Sequence, residues 1–189
     1  MPYSILALQP RHQGWSSLYV ARVQTPRGDE IRREVESHGD AVAVLPYDPG
    51  RRVAMLGRQL RTPVLHASGQ QDLLECPAGL LDGADPEEDA RREVAEEVGL
   101  RLRGLEKVST VWSMPGLSTE RMHLFLAEYR QADIEGEGGG LAEEHEQIEA
   151  TELPLAELAR MADAGTLDDS KTLILVQTLR LRRPDLFAA

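Results

Sequence analysis

Apolar and polar residues alternate in short runs over the first half of the chain and recur at helical spacing near its end. The runs SSLYVARVQT and EIRREVES, joined by PRGD, predict a hairpin, because period-two patterning bounded by Pro and Gly is what a half-buried strand pair requires. A second, more apolar hairpin follows: AVAVLPY, the turn DPGR, then RVAMLGRQLR. QDLLECPAG reads as a further strand, LEKVSTVW and RMHLFLAEY as strands around the loop SMPGLSTE, and QIEATELP as a last strand. Leu155 to Ala164 and Asp168 to Arg183 show the 3.6-residue period of helices. IEGEGGGLAEEHEQ, glycine-rich and acidic, predicts a mobile loop with Gly138, Gly139 and Gly140 as hinge. Hairpin turns dominate the first half, so the expected class is α/β with a mixed rather than purely parallel sheet. A boundary near SHGD would separate a small β-subdomain, residues 1–38, from a main domain, residues 39–189.

Composition narrows the functional classes. The chain has 189 residues, 41% hydrophobic and only 4% aromatic, so Leu, Val, Ile and Ala must build its core. No apolar run approaches the roughly 20 residues that span a bilayer. MPYSILALQPRHQGW lacks a basic leader and makes a poor signal peptide. The single cysteine, Cys76, rules out an intrachain disulfide framework or a cysteine zinc site. Together these features lead us to expect a cytoplasmic protein without a membrane partner. A formal net charge of -11 argues against nucleic acid as partner. An anionic small ligand would need metal ions or a local arginine cluster.

One segment concentrates the acid. Asp85, Glu87, Glu88, Asp89, Glu93, Glu96 and Glu97 share a predicted helix with Arg91 and Arg92. Asp85 suits the N-cap, Pro86 the first helical position, Glu88 a capping box and Gly99 the stop. At roughly 100° per residue, Asp89, Glu93, Glu96 and Glu97 share one arc, while Ala90, Val94 and Val98 form an adjacent burial stripe. Glu93 and Glu97 stand one turn apart, where like charges disfavour a bare helix. A solvated face would explain this, and so would a site for hard divalent cations, which take carboxylate and backbone oxygens. Charge alone leaves both readings open.

The order of residues goes further. Gly79, then Arg92, Glu93, Val94, Glu96, Glu97, Gly99 and Leu100 in REVAEEVGL, resemble the signature of the Nudix hydrolases. Two departures stand out: Ala84 fills the early glutamate slot, and the loop from the glycine to the helix is one residue short. RREVESHGDAVAVLPYDP, RQLR, LLECPAG, SMPGLSTER and GGGLAEEHEQIE extend the resemblance to nucleoside-diphosphate-sugar pyrophosphatases, both the ADP-ribose and the GDP-mannose branch. AGLLD, the GGG run and the Lys-Thr of DDSKTLILVQ incline it towards the second.

This resemblance implies a Nudix α/β/α sandwich, with the β-subdomain shared across a homodimer to help build the partner's substrate site. It implies hydrolysis of a nucleoside diphosphate sugar at its pyrophosphate bond, with Mg²⁺ or Mn²⁺ as cofactor. Glu93, Glu97 and Glu96 would be metal ligands with the Ala78 carbonyl and Glu144, and Arg92 would orient the glutamates. Glu144 and Glu146 are the candidates for the base that takes a proton from water, with Glu97 also catalytic. Arg33, Arg58 and Arg61, with guanidinium forks matched to phosphate, together with Glu75 and Glu120, are candidates for the substrate site. Lys171 could cap a helix or reach the sugar. A non-catalytic sugar-nucleotide sensor, or a hydrolase of other nucleotides, stands as the alternative.

Overall fold

A computed structural model of the chain describes residues 1–83, 85–141 and 146–188. The chain divides into two units, Met1–Ala41 with Thr110–Met122, and Val42–Ser109 with His123–Ala189.

The first unit carries a three-stranded antiparallel sheet of β1 (Ser4–Gln13), β2 (Ser17–Gln24) and β3 (Glu30–Ser37), in that order. β2 and β3 form the expected hairpin, closed by Thr25 and Asp29 at 2.8 Å and by Gly28 at a positive φ of 93°. The patterning did not predict β1. It holds Pro10, which a strand tolerates at an edge or an irregularity, and Pro10 stands in such a shift of register between Pro10 and His12. β3 also ties down the loop Ser113–Glu120: Glu36 N–H donates to Leu117 O at 2.9 Å and Thr119 N–H to Glu36 O at 3.0 Å. In the same unit His38 lies between Glu36 (2.7 Å) and Glu120 (3.3 Å), under the stacked ring of Trp15.

The second unit is built on a seven-stranded sheet. Its order is β10 (Glu149–Pro154), β5 (Val53–Gln59), β4 (Ala41–Asp48), β9 (Arg121–Glu128) and β8 (Glu106–Trp112). Short β6 (Leu73–Glu75) pairs with β5 and β7 (Ala78–Leu80) with β4. β4 is buried along its whole length, which explains the near-continuous apolar run AVAVLPY. The single strand expected over QDLLECPAG is split, because Pro77 has no N–H for a ladder. α1 (Thr62–Ser68), begun by Pro63 and stopped at Gly69, follows β5 in a segment for which the patterning predicted no element. α2 (Pro86–Val98) buries Ala90, Val94 and Val98 against Val42, Val44, Leu100 and Phe125. α3 (Leu155–Ala164) has the expected bounds and α4 (Ser170–Arg182) nearly so. Among the described residues no helix is long and apolar enough to cross a membrane.

Candidate active site

The acidic segment becomes α2 because its N-terminus is well capped. The Asp85 side chain accepts from Glu87 N–H at 2.9 Å, Pro86 opens the helix, and Gly99 ends it. The expected reciprocal bond from Glu88 is not among those of the described residues; the cap works through Asp85 alone. Burying Ala90, Val94 and Val98 turns the neighbouring arc, Asp89, Glu93 and Glu97, towards the protein rather than towards water.

Each acid of that arc meets a different environment. Asp89 accepts Gly83 N–H at 3.1 Å and so holds the loop before the helix. Glu97, 3% exposed, accepts Ala78 N–H at 3.1 Å. Glu93 lies so close to Gly79 that a Cβ there would come within 2.1 to 2.3 Å of its carboxyl group. Gly79 is therefore a steric requirement of the site. Arg92 stands among the acids, 2.8 Å from Glu93, 3.0 Å from Glu96 and 3.4 Å from Asp89. Burial pushes Glu93 up to about 7, against the pull of Arg92, and pushes Glu97 up to about 8, with Glu93 and Glu146 adding repulsion. Two carboxylates resisting ionisation, Glu97 buried and Glu93 partly so, beside a peptide and a glycine, make an oxygen-rich cluster short of positive charge.

The glycine run, expected as a hinge, is bonded to the end of α2. Gly139 N–H donates to Glu97 O at 3.0 Å and Gly140 N–H to Glu96 O at 3.1 Å, so the run closes the carbonyl end of α2. Gly138, Gly139 and Gly140 all have positive φ, and a Cβ on Gly138 would meet Glu97 O at 2.4 Å. Glycine is needed there for conformation and close approach. The same stitching sets Glu146 near the Glu93–Glu97 pair, its carboxylate accepting Leu141 N–H at 3.1 Å. Glu144, Ala84 and His145 lie outside the described residues.

The remaining candidates separate. Arg58 pairs with Asp72 at 3.1 Å and lines a recess of about 500 Å³ with Glu146, Gly139 and Glu149. Arg61 grips Glu75 with a fork, Nε to Oε1 at 2.6 Å and Nη2 to Oε2 at 3.0 Å, and feels the charge of Glu97. Glu75, 2% exposed, is enclosed by Arg61 and Lys171. Arg33 and Glu120 belong to the first unit, where Glu120 holds His38 and Arg33 is exposed on β3. Lys171, undecided from sequence, is buried with Glu75 and Asp169. Asp169 was missed, its one signal the helix-capping look of DDSKT, and Thr172 was noted only within the Lys-Thr pair, without a role. Cys76 is an inert core residue, its thiol pushed by burial up to about 12. Another recess, about 720 Å³ between Tyr47, Leu105, Leu126 and Tyr129, holds none of these residues, and its acids Asp48, Glu106, Glu128 and Asp133 already have arginine partners.

Among the described residues no three acidic, histidine or cysteine side chains gather closely enough to hold a metal ion unaided. Arg92 takes up Glu93 and Glu96, leaving Glu97 and the Ala78 peptide beside them. The donor types nevertheless suit a hard divalent cation, because carboxylate and peptide oxygens are what such ions take.

Comparison with known proteins agrees with this geometry. The NUDIX domain pattern matches residues 37–175. The GDP-mannose pyrophosphatase of Cronobacter sakazakii is 41% identical over 159 residues, 82% of each chain. That of Pectobacterium atrosepticum is 38% identical over 168 residues, 87% of this chain and 86% of the relative. A solved structure of an ADP compounds hydrolase superposes with a TM-score of 0.77 over 98% of this chain and 96% of its own, at 17% identity, which speaks to the fold. With its arginine and glutamates in register on one capped helix, Gly79 packed against Glu93 and most of its length matched, the chain belongs to the NUDIX family, as a Nudix hydrolase.

Proposed function

We propose that the chain hydrolyses the pyrophosphate bond of a nucleoside diphosphate sugar, GDP-mannose before ADP-ribose, to a nucleoside monophosphate and a sugar phosphate. The observation that carries this reading is the Glu93–Glu97 pair, withdrawn from water and short of positive charge beside the Ala78 peptide. Relatives named GDP-mannose pyrophosphatase, aligned over most of their length, supply the substrate class.

Glu93 and Glu97 would hold Mg²⁺ or Mn²⁺ with the Ala78 carbonyl, Glu96 and Glu144. When bound, such a cation neutralises the pyrophosphate and lowers the pKa of a coordinated water. Arg92 orients Glu93 and Glu96 by its fork. Arg61 and Arg58 receive phosphate oxygens, and Glu75 acts through Arg61. Glu146, whose charge reaches the metal-holding pair, or Glu144 accepts the proton of the attacking water. Arg33 and Glu120 belong to a substrate surface provided by the first unit, with residues 1–38 also the dimer contact. Ile5, Leu6 and Leu8 on the edge strand β1 are largely exposed, as a strand awaiting a second copy would be. A single buried cysteine suits a reducing, cytoplasmic setting.

The test is incubation with Mg²⁺ or Mn²⁺ and a panel of GDP-mannose, ADP-ribose and other sugar nucleotides. The expected products are GMP and mannose 1-phosphate, fastest from GDP-mannose. Tight binding without turnover would replace the enzyme by a sensor. Sedimentation at micromolar concentration should show a dimer that Leu8→Glu disrupts.

A further inference from the structure

Strand β6 and the start of α4 are joined by side chains that the proposed chemistry does not use directly. Glu75 Oε2 accepts from two cations, Arg61 Nη2 at 3.0 Å and Lys171 Nζ. Lys171 also donates to Asp169 Oδ1 at 2.9 Å. The other oxygen of Asp169 accepts Thr172 N–H at 3.0 Å and the Thr172 hydroxyl at 2.6 Å. That hydroxyl oxygen in turn accepts Cys76 N–H at 2.7 Å. Cys76 stands two residues before Ala78, whose N–H reaches Glu97 at 3.1 Å. One carboxylate at the head of α4 thus leads by one branch to Arg61 and by the other to the peptide beside Glu97.

As a helix cap, Asp169 has no need of its charge, since Asn caps equally well. The charge serves the cluster: Arg61 and Lys171 balance Glu75 and Asp169. With Asp169 neutral, Lys171 would have Glu75 as its one anionic partner in the cluster and compete with Arg61 for Oε2. The guanidinium, its other neighbouring anion being Glu97, would then lean towards the residue that is to hold metal. An arginine so displaced presents its remaining Nη N–H groups to a phosphate in the wrong direction.

We propose that Asp169 is a positioning residue: through Lys171 and Glu75 it aims Arg61 at the substrate phosphates, and through Thr172 and Cys76 it sets the strand that carries Ala78. This rests on the assignment of Arg61 to a phosphate.

The experiment compares Asp169→Asn, Arg61→Ala and the double variant in steady-state hydrolysis of GDP-mannose. Asp169→Asn should raise KM by about tenfold, the scale of one weakened charge-assisted contact, with kcat changed far less. In the Arg61→Ala background it should add little, because its route to substrate is gone. The ¹H–¹⁵N signal of Arg61 Nε, assigned by its loss in Arg61→Lys, should lose protection from water exchange in Asp169→Asn. An unchanged KM, additive effects in the double variant, or an unaltered Arg61 signal would each overturn the proposal. If the unmodified protein cleaves no sugar nucleotide, the proposed reaction falls, and the Arg61 signal still decides whether Asp169 controls the arginine.

Discussion

Two acidic clusters lie in the second unit, and they are neutralised in opposite ways. Around Glu75, each carboxylate has cations in contact: Arg61 and Lys171 for Glu75, Lys171 for Asp169. Around Glu93 and Glu97 the cations run short. Arg92 serves Glu93, while Glu97 receives one backbone N–H. Burial accordingly raises both of these acids, to about 7 and about 8. Buried charge is tolerated when paired and resisted when it is not. On the proposed function the incomplete cluster is the one that takes the cation, and the complete one holds its neighbourhood still.

The contrast can be broken most sharply at Glu97. Glu97→Gln keeps the shape and the bond from Ala78 but removes the charge. Turnover should fall on the order of 10³-fold, as when transition-state charge loses its stabilisation, with the circular dichroism spectrum unchanged. Gly79→Ala attacks the same cluster by volume. Its methyl would overlap Glu93, so activity should collapse, and urea denaturation should show a loss of about 1–3 kcal/mol, as for overpacking elsewhere. The paired cluster should answer in the other currency. Lys171→Met leaves Asp169 without its cation and Glu75 with one fewer, which should cost about 3 kcal/mol of stability and be visible as a lowered urea midpoint.

The smallest effect is a pH dependence. Glu93 and Glu97 titrate higher in the folded chain than in the unfolded one, where a glutamate titrates near ~4.3. The folded state therefore holds more protons between about pH 4 and 8, and without metal its stability falls as pH rises through that window. His38 adds to the slope with the same sign. Burial works against its protonation, but hydrogen bonds to Glu36 and Glu120 prevail and raise it. Its contribution is full below the unfolded histidine pKa and is lost as pH rises through the folded one. Melting temperatures in EDTA should thus fall from pH 5 to 8.5. Mg²⁺ should flatten the fall, and Glu97→Gln should remove its own share of it.

Much of this was open to reading from local pattern. The cap at Asp85, the stop at Gly99 and the buried stripe of Ala90, Val94 and Val98 need only neighbours a few residues away. The β2–β3 hairpin and α3 were equally legible. β1 escaped because an edge strand exposed on both faces has no burial pattern to display. α1 escaped because a seven-residue helix with no buried residue leaves no periodic trace. The contacts of the glycine run were hidden for a different reason. Three glycines in sequence suggest looseness, whereas their use here is close contact with the end of α2, a partner about forty residues distant. Arg61, Glu75 and Lys171 were each visible as candidates, but nothing local says that the three share one pair of oxygens.

By itself, the sequence determined that an acidic helix would form, where it would begin and end, and which arc would bear the glutamates, because helical period and capping are short-range physics. Its order of residues also carried the family. Only the tertiary structure decided which acids would be left short of a cation. That depends on what packs against each carboxylate, and the partners of Glu97 and Glu75 come from strands and helices far along the chain.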